Sequence, residues 1–237
     1  MTEKEPILCF NAVSSAVDPH YDLHLREMSF LLSSGEMGLF RVHRRQPRSP
    51  VADAAQGLLE LQSGQVLFQQ KDWRHRGPSD ASRSRGRIGR FFGAGGWVHH
   101  LDVDENVTLR ERHHTRISLR EIETEASDLA NKFGLKNGVP KERPARVDGH
   151  DLQRSAAVRM FLGKPALIIL DEPVAGLHPD VLEAMIVEFK TACAGGAAVL
   201  WLSADPYVWA NPAIEAAVRI DLTDPSSMGI PGSSVSE

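Results

Sequence analysis

Two periods of apolar and polar positions alternate along this chain, and each change from one to the other marks an element. Residues 7–13 (Ile-Leu-Cys-Phe-Asn-Ala-Val) and 23–32 are rich in aliphatic and aromatic side chains. They predict two strands of a small antiparallel sheet, broken by Val17-Asp18-Pro19-His20. Ser33-Ser34-Gly35-Glu36 predicts a turn, and Met37-Gly38-Leu39-Phe40 a buried strand after it. Residues 52–61 predict a helix and 65–68 a returning strand. Over 119–133 the apolar positions are Leu119, Ile122, Ala126, Leu129, Ala130 and Phe133, the spacing of an amphipathic helix with an acidic outer face. Helices over 155–162 and 181–193 and a last buried strand over 197–202 complete the series.

The strongest apolar run is Ala166-Leu167-Ile168-Ile169-Leu170, ending in Asp171-Glu172-Pro173. A strand apolar at every position is buried on both faces, as in a parallel sheet, and its C-terminal edge opens on a ligand crevice. In nucleotide hydrolases with a phosphate loop, the first acid at such an edge holds Mg²⁺ through water and the second polarises the attacking water. A buried strand running into an acidic helix cap produces the same residues, so the acid pair alone leaves both readings open.

The chain has 237 residues, 42% hydrophobic and 24% charged, enough for one large α/β domain with a substantial core. A net charge of −4 argues against a whole-protein nucleic-acid binder. The two cysteines, Cys9 and Cys193, sit in apolar settings and fit a reducing compartment, so the expected location is cytoplasmic. The opening Thr2-Glu3-Lys4-Glu5 is polar, and no apolar run approaches the ~20 residues of a spanning helix, so a membrane role is expected to come through a partner. Basic residues gather in two places. One is Arg41, Arg44, Arg45 and Arg48; the other is the segment from Lys71 to Arg90, with Arg74, Arg76, Arg83, Arg85 and Arg87, which reads as a basic surface loop suited to anionic headgroups or RNA. Few aromatics are interleaved there, and no nucleic-acid partner is expected.

The continuation Val174-Ala175-Gly176-Leu177-His178-Pro179-Asp180 sharpens the picture. The stretch from Ala166 to Asp180 resembles the ATP-binding cassette (ABC) ATPase family, whose Walker B strand reads LLLLDEP and whose D-loop reads GLDP at this distance. The resemblance spans about residues 6 to 222. It implies an α/β, P-loop NTPase-like ABC ATPase fold with an antiparallel β subdomain and a helical subdomain at about 94–162. The expected domain is 1–222, followed by a disordered tail over 223–237, which is rich in Ser, Gly and Pro. The family implies ATP and Mg²⁺ as cofactors, an integral membrane permease as partner, and a second ABC ATPase-like subunit to make a homo- or heterodimer. The segment from Phe91 through Gly95-Gly96-Trp97 to Leu109-Arg110-Glu111 is most similar to the branch serving MCE (mammalian cell entry) lipid transporters, which adds MCE-type substrate-binding proteins as partners.

At the family's chemical positions this chain departs from the pattern. The phosphate loop reads Arg41-Val42-His43-Arg44-Arg45-Gln46-Pro47-Arg48-Ser49-Pro50, with Val42, Arg45 and Pro47 at glycine positions and Arg48 at the lysine. A phosphate cradle needs glycines so that backbone N–H groups converge on oxygens, and side chains at those positions oppose it. The adenine-stacking aromatic falls on Val17, with Tyr21 as the nearby substitute. The metal-contacting Gln is Gly93, the switch histidine is Ala204 and the D-loop aspartate is His178. The signature reads Val147-Asp148-Gly149-His150-Asp151-Leu152-Gln153-Arg154, placing Asp148 and Asp151 where the family binds a γ-phosphate. The resemblance thus leaves Arg48, Ser49, Gly149 and Asp171 as a remnant nucleotide site, Asp171 as the Mg²⁺ ligand and Glu172 as an idle remnant of the catalytic acid. Phe92, Gly93 and Trp97 become the positions that dock on the membrane subunit. The arginine run either seats a guanidinium against Asp171 or Glu172 or forms a solvated loop; the former is favoured because it compensates the acid pair. The leading expectation is a non-hydrolysing structural or regulatory subunit of an MCE-type lipid transporter. The alternatives are an atypical ATPase with Arg48 in the lysine's role, and a basic-loop adaptor for RNA or anionic lipid.

Overall fold

The computed structural model describes residues 4–21, 23–43, 49–92, 95–171 and 177–223. An antiparallel sheet is built on β1 (Pro6–Ser15), flanked by β2 (Met28–Ser33) and by β4 (Leu61–Phe68), with the short β5 (Lys71–Asp72) beyond β4. The second sheet is parallel and runs β6 (Ile88–Phe92), β7 (Leu167–Asp171), β8 (Ala198–Ser203), β3 (Met37–Arg41), β9 (Val218–Asp221). Around it lie α1 (Pro50–Ala55), α2 (Pro78–Arg85), α3 (Val103–His114), α4 (Leu119–Lys132), α5 (Gly149–Phe161), α6 (Pro179–Ala194) and α7 (Pro206–Ala210). Two sheets with one helical cluster of α3, α4 and α5 match the expected architecture.

The parallel strands sort their side chains between two cores with the period of two that a pleated strand imposes. Ile88, Leu167, Ile169, Leu200 and Leu202 face the antiparallel sheet and α1, sharing one cluster with Phe10, Leu32 and Phe68. Phe91, Ile168, Leu170, Val199 and Trp201 face the other way, onto Met160, Met185 and Phe189. Gly89 is where β6 crosses α5: a Cβ there would lie 2.0 Å from the Met160 carbonyl oxygen, so only glycine allows the strand so close.

Several elements differ from the sequence reading, each for a local reason. The strand expected over 23–32 starts only at Met28, because Glu27 takes a left-handed φ of 47° and interrupts the extended chain. The helix expected over 52–61 stops at Ala55: Gly57 has a φ of +64°, a conformation that ends helices, and Leu58 donates back to the Asp53 carbonyl. The segment from Lys71 to Arg90 is not a surface loop. It holds β5, α2 and β6; Arg76 lies over the Trp73 ring at 5.0 Å, and Arg85 donates to the Gln56 and Gly57 carbonyls at 2.9 Å. The amphipathic helix is present as α4, burying Ile122, Ala126, Leu129 and Ala130 but leaving Leu119 exposed. Apart from Thr223, the expected tail lies outside the described residues.

Trp201 sits fully buried at the centre of β8 with its ring 5.4 Å from Phe189, and its indole N–H has no hydrogen-bond partner among the described residues. Trp201→Ala is expected to cost about 3–5 kcal/mol in urea unfolding, and Trp201→Phe markedly less, since it keeps an aromatic filler and removes the unpaired donor.

Candidate functional site

The site is assembled at the C-terminal edge of β6 and β7, under the start of α1. Ser49 caps α1, its hydroxyl accepting the Ala52 N–H at 3.4 Å, and Pro50 follows in the first turn, where its missing N–H costs nothing. The helix buries Val51, Ala52, Ala54 and Ala55 against the sheet, and that same face carries Asp53 inward. On β6 the residue in register with Ile169 is Arg90, two positions from Ile88 and so on the face covered by α1. Asp171, two positions from Ile169, shares that face.

These placements bring three charges together out of water. Arg90 Nη1 donates to Asp53 Oδ1 at 2.6 Å and to Gln56 Oε1 at 2.7 Å, while Nη2 donates to Asp171 Oδ2. Tyr21 donates its hydroxyl to Asp53 Oδ2 at 2.7 Å. The Arg90, Asp53 and Asp171 side chains are 6%, 2% and 9% exposed, so this ion network is interior rather than superficial. Phe92 covers the guanidinium face at 4.7 Å from the ring centre, a cation–π contact strengthened by exclusion of water. Arg90 Nε is buried and has no hydrogen-bond partner among the described residues. Burial pushes the Asp171 carboxyl above its usual value and nearby Asp53 adds to the rise; Arg90 and the Ser49 backbone N–H oppose it.

The sequence seats an arginine of the 41–48 run against Asp171 or Glu172; of that run Arg41 is described, and Arg44, Arg45 and Arg48 lie outside the described residues. The guanidinium on Asp171 is that of Arg90. Arg41 pairs with Asp221 at 3.3 Å across the β3–β9 edge and lies over the Trp209 ring at 6.0 Å, while Arg90, counted within a basic surface loop, is the buried partner. Tyr21 is corrected as well: it is buried with its hydroxyl on Asp53, so its ring is not a platform for a base, and Val17 is 83% exposed. Arg48, Gly93 and Glu172 lie outside the described residues.

The signature region forms the N-terminus of α5. Asp148 is its cap, the carboxylate accepting the His150 N–H at 2.8 Å, and Gly149 is the first helical residue, with open space where a Cβ would point. Asp151 in the first turn adds a second negative charge at the positive end of the helix. Arg154 joins Asp151 at 3.3 Å to Asp180 at 2.8 Å, and His178 Nδ1 lies 2.5 Å from Asp180 with its ring 4.4 Å from that of His150. Burial opposes the shift, but the Arg154 and His178 hydrogen bonds hold the Asp180 carboxyl below its usual value.

Phe92 and Trp97 are brought together around Arg159 of α5. The guanidinium lies 5.8 Å from the Phe92 ring and 4.5 Å from that of Trp97, and it donates to the Gly96 carbonyl at 3.0 Å. Burial, with Arg110 nearby, lowers the Arg159 pKa to about 10, which leaves it charged at neutral pH. Phe92 is 38% exposed, so this tethered loop offers an aromatic surface to solvent. A groove of about 1060 Å³ lies elsewhere, at the N-terminal ends of the strands among Ser34, Arg87, Lys164 and Gly196, and neither Asp53 nor Asp171 lines it.

With this geometry in view, comparison with known proteins gives a consistent result. The sequence profile described as ABC transporter matches residues 48–175. A Staphylococcus epidermidis protein named for hemin import ATP binding, HrtA, is 28% identical over 153 residues, covering 65% of this chain and 68% of that protein. The lipoprotein-releasing system ATP-binding protein LolD of Buchnera aphidicola is 28% identical over 179 residues, covering 73% and 76%. Among solved structures, the dimeric ATP-binding cassette MJ0796 in a post-hydrolysis state with ADP and phosphate superposes with a TM-score of 0.74. It is 18% identical and covers 85% of this chain and 90% of that one.

Removing Arg90 takes the guanidinium from two buried carboxylates. Arg90→Met is therefore expected to cost about 3–5 kcal/mol in urea unfolding, with part of the loss recovered when Asp53→Asn is added, because the two sites are coupled. The pH dependence has a definite sign. An acid that holds its proton more tightly folded than unfolded contributes fully below its unfolded pKa, about 3.9 for aspartate, and the contribution is lost as pH rises through the folded value. Asp171→Asn is expected to shallow the decline of the urea midpoint with rising pH through the weakly acidic range. Glu111, whose carboxyl burial also raises, contributes to the decline in the same sense.

Proposed function

This chain belongs to the ABC transporter family, and we propose that within it the protein is a non-hydrolysing ATP-binding subunit that supplies structure or regulation to a membrane transporter. The observation that carries the reading is the N-terminus of α5. A helix N-terminus attracts anions through its free N–H groups and dipole, yet this one is occupied by the chain's own carboxylate, with Asp148 on the His150 N–H and Asp151 one turn in. Negative charge at the position where the family takes a γ-phosphate opposes the closed state in which ATP is cleaved.

The remaining assignments follow the family and are supported by chemistry. Ser49 and Asp171 keep the scaffold of the nucleotide pocket, with Arg48 and Gly149 at its loop positions, and Glu172 is the remnant of the catalytic acid. Family members use ATP with Mg²⁺ and pair as dimers, here with a second copy or a different ABC subunit. No helix among the described residues is long and apolar enough to cross a membrane. Attachment on the cytoplasmic side therefore runs through a permease, docking on the surface of Phe92, Gly93 and Trp97. The residues from Phe91 to Glu111 favour an MCE-type lipid transporter, with MCE-type substrate-binding proteins in the assembly. The HrtA and LolD relatives are named for other cargo, so the cargo rests on that segment alone. The domain is 1–222, with the helical subdomain at about 94–162 and the tail after it.

The chain purified with its membrane partner is expected to release no phosphate from ATP above background. Phosphate release typical of the family that disappears in Glu172→Gln would show a working catalytic acid and end the reading. In the same preparation, Trp97→Ala is expected to reduce recovery of the permease without changing the fold.

A further inference from the structure

Family membership implies a divalent cation at the Walker B aspartate, and the residues present do not fit one. A hard cation of this kind takes oxygen ligands in near-octahedral geometry and keeps several waters. The Asp171 carboxylate is buried, accepts the Arg90 guanidinium on Oδ2 and receives the Ser49 backbone N–H. The Ser49 hydroxyl, the other oxygen a metal would use, accepts the Ala52 N–H as the cap of α1. No group of three or more His, Cys, Asp or Glu side chains among the described residues is arranged to hold a metal ion.

We propose that Arg90 is the resident cation of this site. Its guanidinium, clamped by Asp53 and Gln56, takes the place of the metal against Asp171, so that folding and any nucleotide binding proceed without a divalent cation. Three features of the geometry support this. First, the charge is delivered from the adjacent parallel strand, where the register sets Phe92 opposite Asp171 and so fixes Arg90 one pleat below the acid. Second, the guanidinium is held from the side away from Asp171. Asp53 Oδ1 and Gln56 Oε1 both take hydrogen bonds from Nη1, leaving Nη2 for Asp171, so the fork cannot swing away without abandoning two further partners. Third, Phe92 lies over its face and excludes water from that side.

The chemical consequence is specific. A guanidinium neutralises a carboxylate and donates hydrogen bonds, but it offers no coordination position for water or for a phosphate oxygen. A metal arriving at Asp171 would also meet a fixed positive charge within hydrogen-bonding range. The inference deepens the non-hydrolysing reading and rests on it for the placement of nucleotide beside Asp171.

Binding of Mn²⁺, followed by its electron paramagnetic resonance signal with and without ATP, tests it on the full chain. The unmodified protein is expected to take up Mn²⁺ no better than Asp171→Asn does. Arg90→Gln, which keeps amide donors but removes the charge, is expected to gain Mn²⁺ uptake, and Arg90→Gln/Asp171→Asn to lose it again. If the unmodified protein binds Mn²⁺·ATP and Asp171→Asn weakens that binding by about tenfold or more, the size of a lost metal contact, Arg90 is not the site's cation. If Arg90→Gln fails to fold, the thermal midpoint of the unmodified chain decides: equal values in Mg²⁺ and in EDTA, each with ATP, support the proposal, and a midpoint raised by Mg²⁺ through Asp171 overturns it. Phosphate release is a separate readout. Turnover in EDTA would end the non-hydrolysing reading and leave Arg90 as the cation, whereas an inert chain that holds Mn²⁺ on Asp171 would do the reverse.

Discussion

A buried arginine between two buried aspartates constrains everything around it. Taking three charges from water costs several kcal/mol each, and the cost is offset only when every partner is held in good geometry. Here that geometry requires α1 to be capped at Ser49, so that Asp53 turns inward, and β6 to lie in its observed register with β7, so that Arg90 reaches Asp171. The close crossing at Gly89 sets β6 against α5, and Tyr21 brings the antiparallel layer into the same network through Asp53. The pocket's walls are thereby joined by ion pairs and hydrogen bonds within the chain itself.

Opposite charges are gathered at the strand edge and at the start of α5: a cation lies against Asp171, and two acids stand in the cap and first turn of the helix. Each grouping is satisfied within the chain. The Asp171 carboxylate accepts from the Arg90 guanidinium, and the His150 N–H of α5 donates to the Asp148 carboxylate. The aromatic pair follows a different logic. Phe92 and Trp97 are gathered on the charged Arg159 and remain partly open to solvent, which supports the docking role proposed for them.

Much of this was legible in the residues. The all-apolar run ending at Asp171 marked β7, the six-position apolar stripe marked α4, and the Gly-Leu-x-Pro-Asp continuation carried the family resemblance. Arg90 was missed because a count of charges along Lys71–Arg90 treats every cation as solvated, whereas the strand period assigns alternate positions to opposite faces of a buried sheet. The usable signal was there: a single arginine inside Ile88-Gly89-Arg90-Phe91-Phe92 and a single acid inside Val51-Ala52-Asp53-Ala54-Ala55, each alone in an apolar element and each in need of a partner. The pairing itself was not readable, because it depends on register and on where α1 begins, both set by tertiary packing. Tyr21 was likewise indistinguishable from an exposed aromatic until the fold placed it over Asp53.

Whether Arg90 is the resident cation at Asp171 is decided by a crystal structure of the protein grown with excess ATP and Mg²⁺. The expected result is the Arg90 guanidinium still bridging Asp53 and Asp171, with no metal on the Asp171 carboxylate. A hydrated magnesium ion seated against Asp171, with Arg90 swung out of the site, would contradict it.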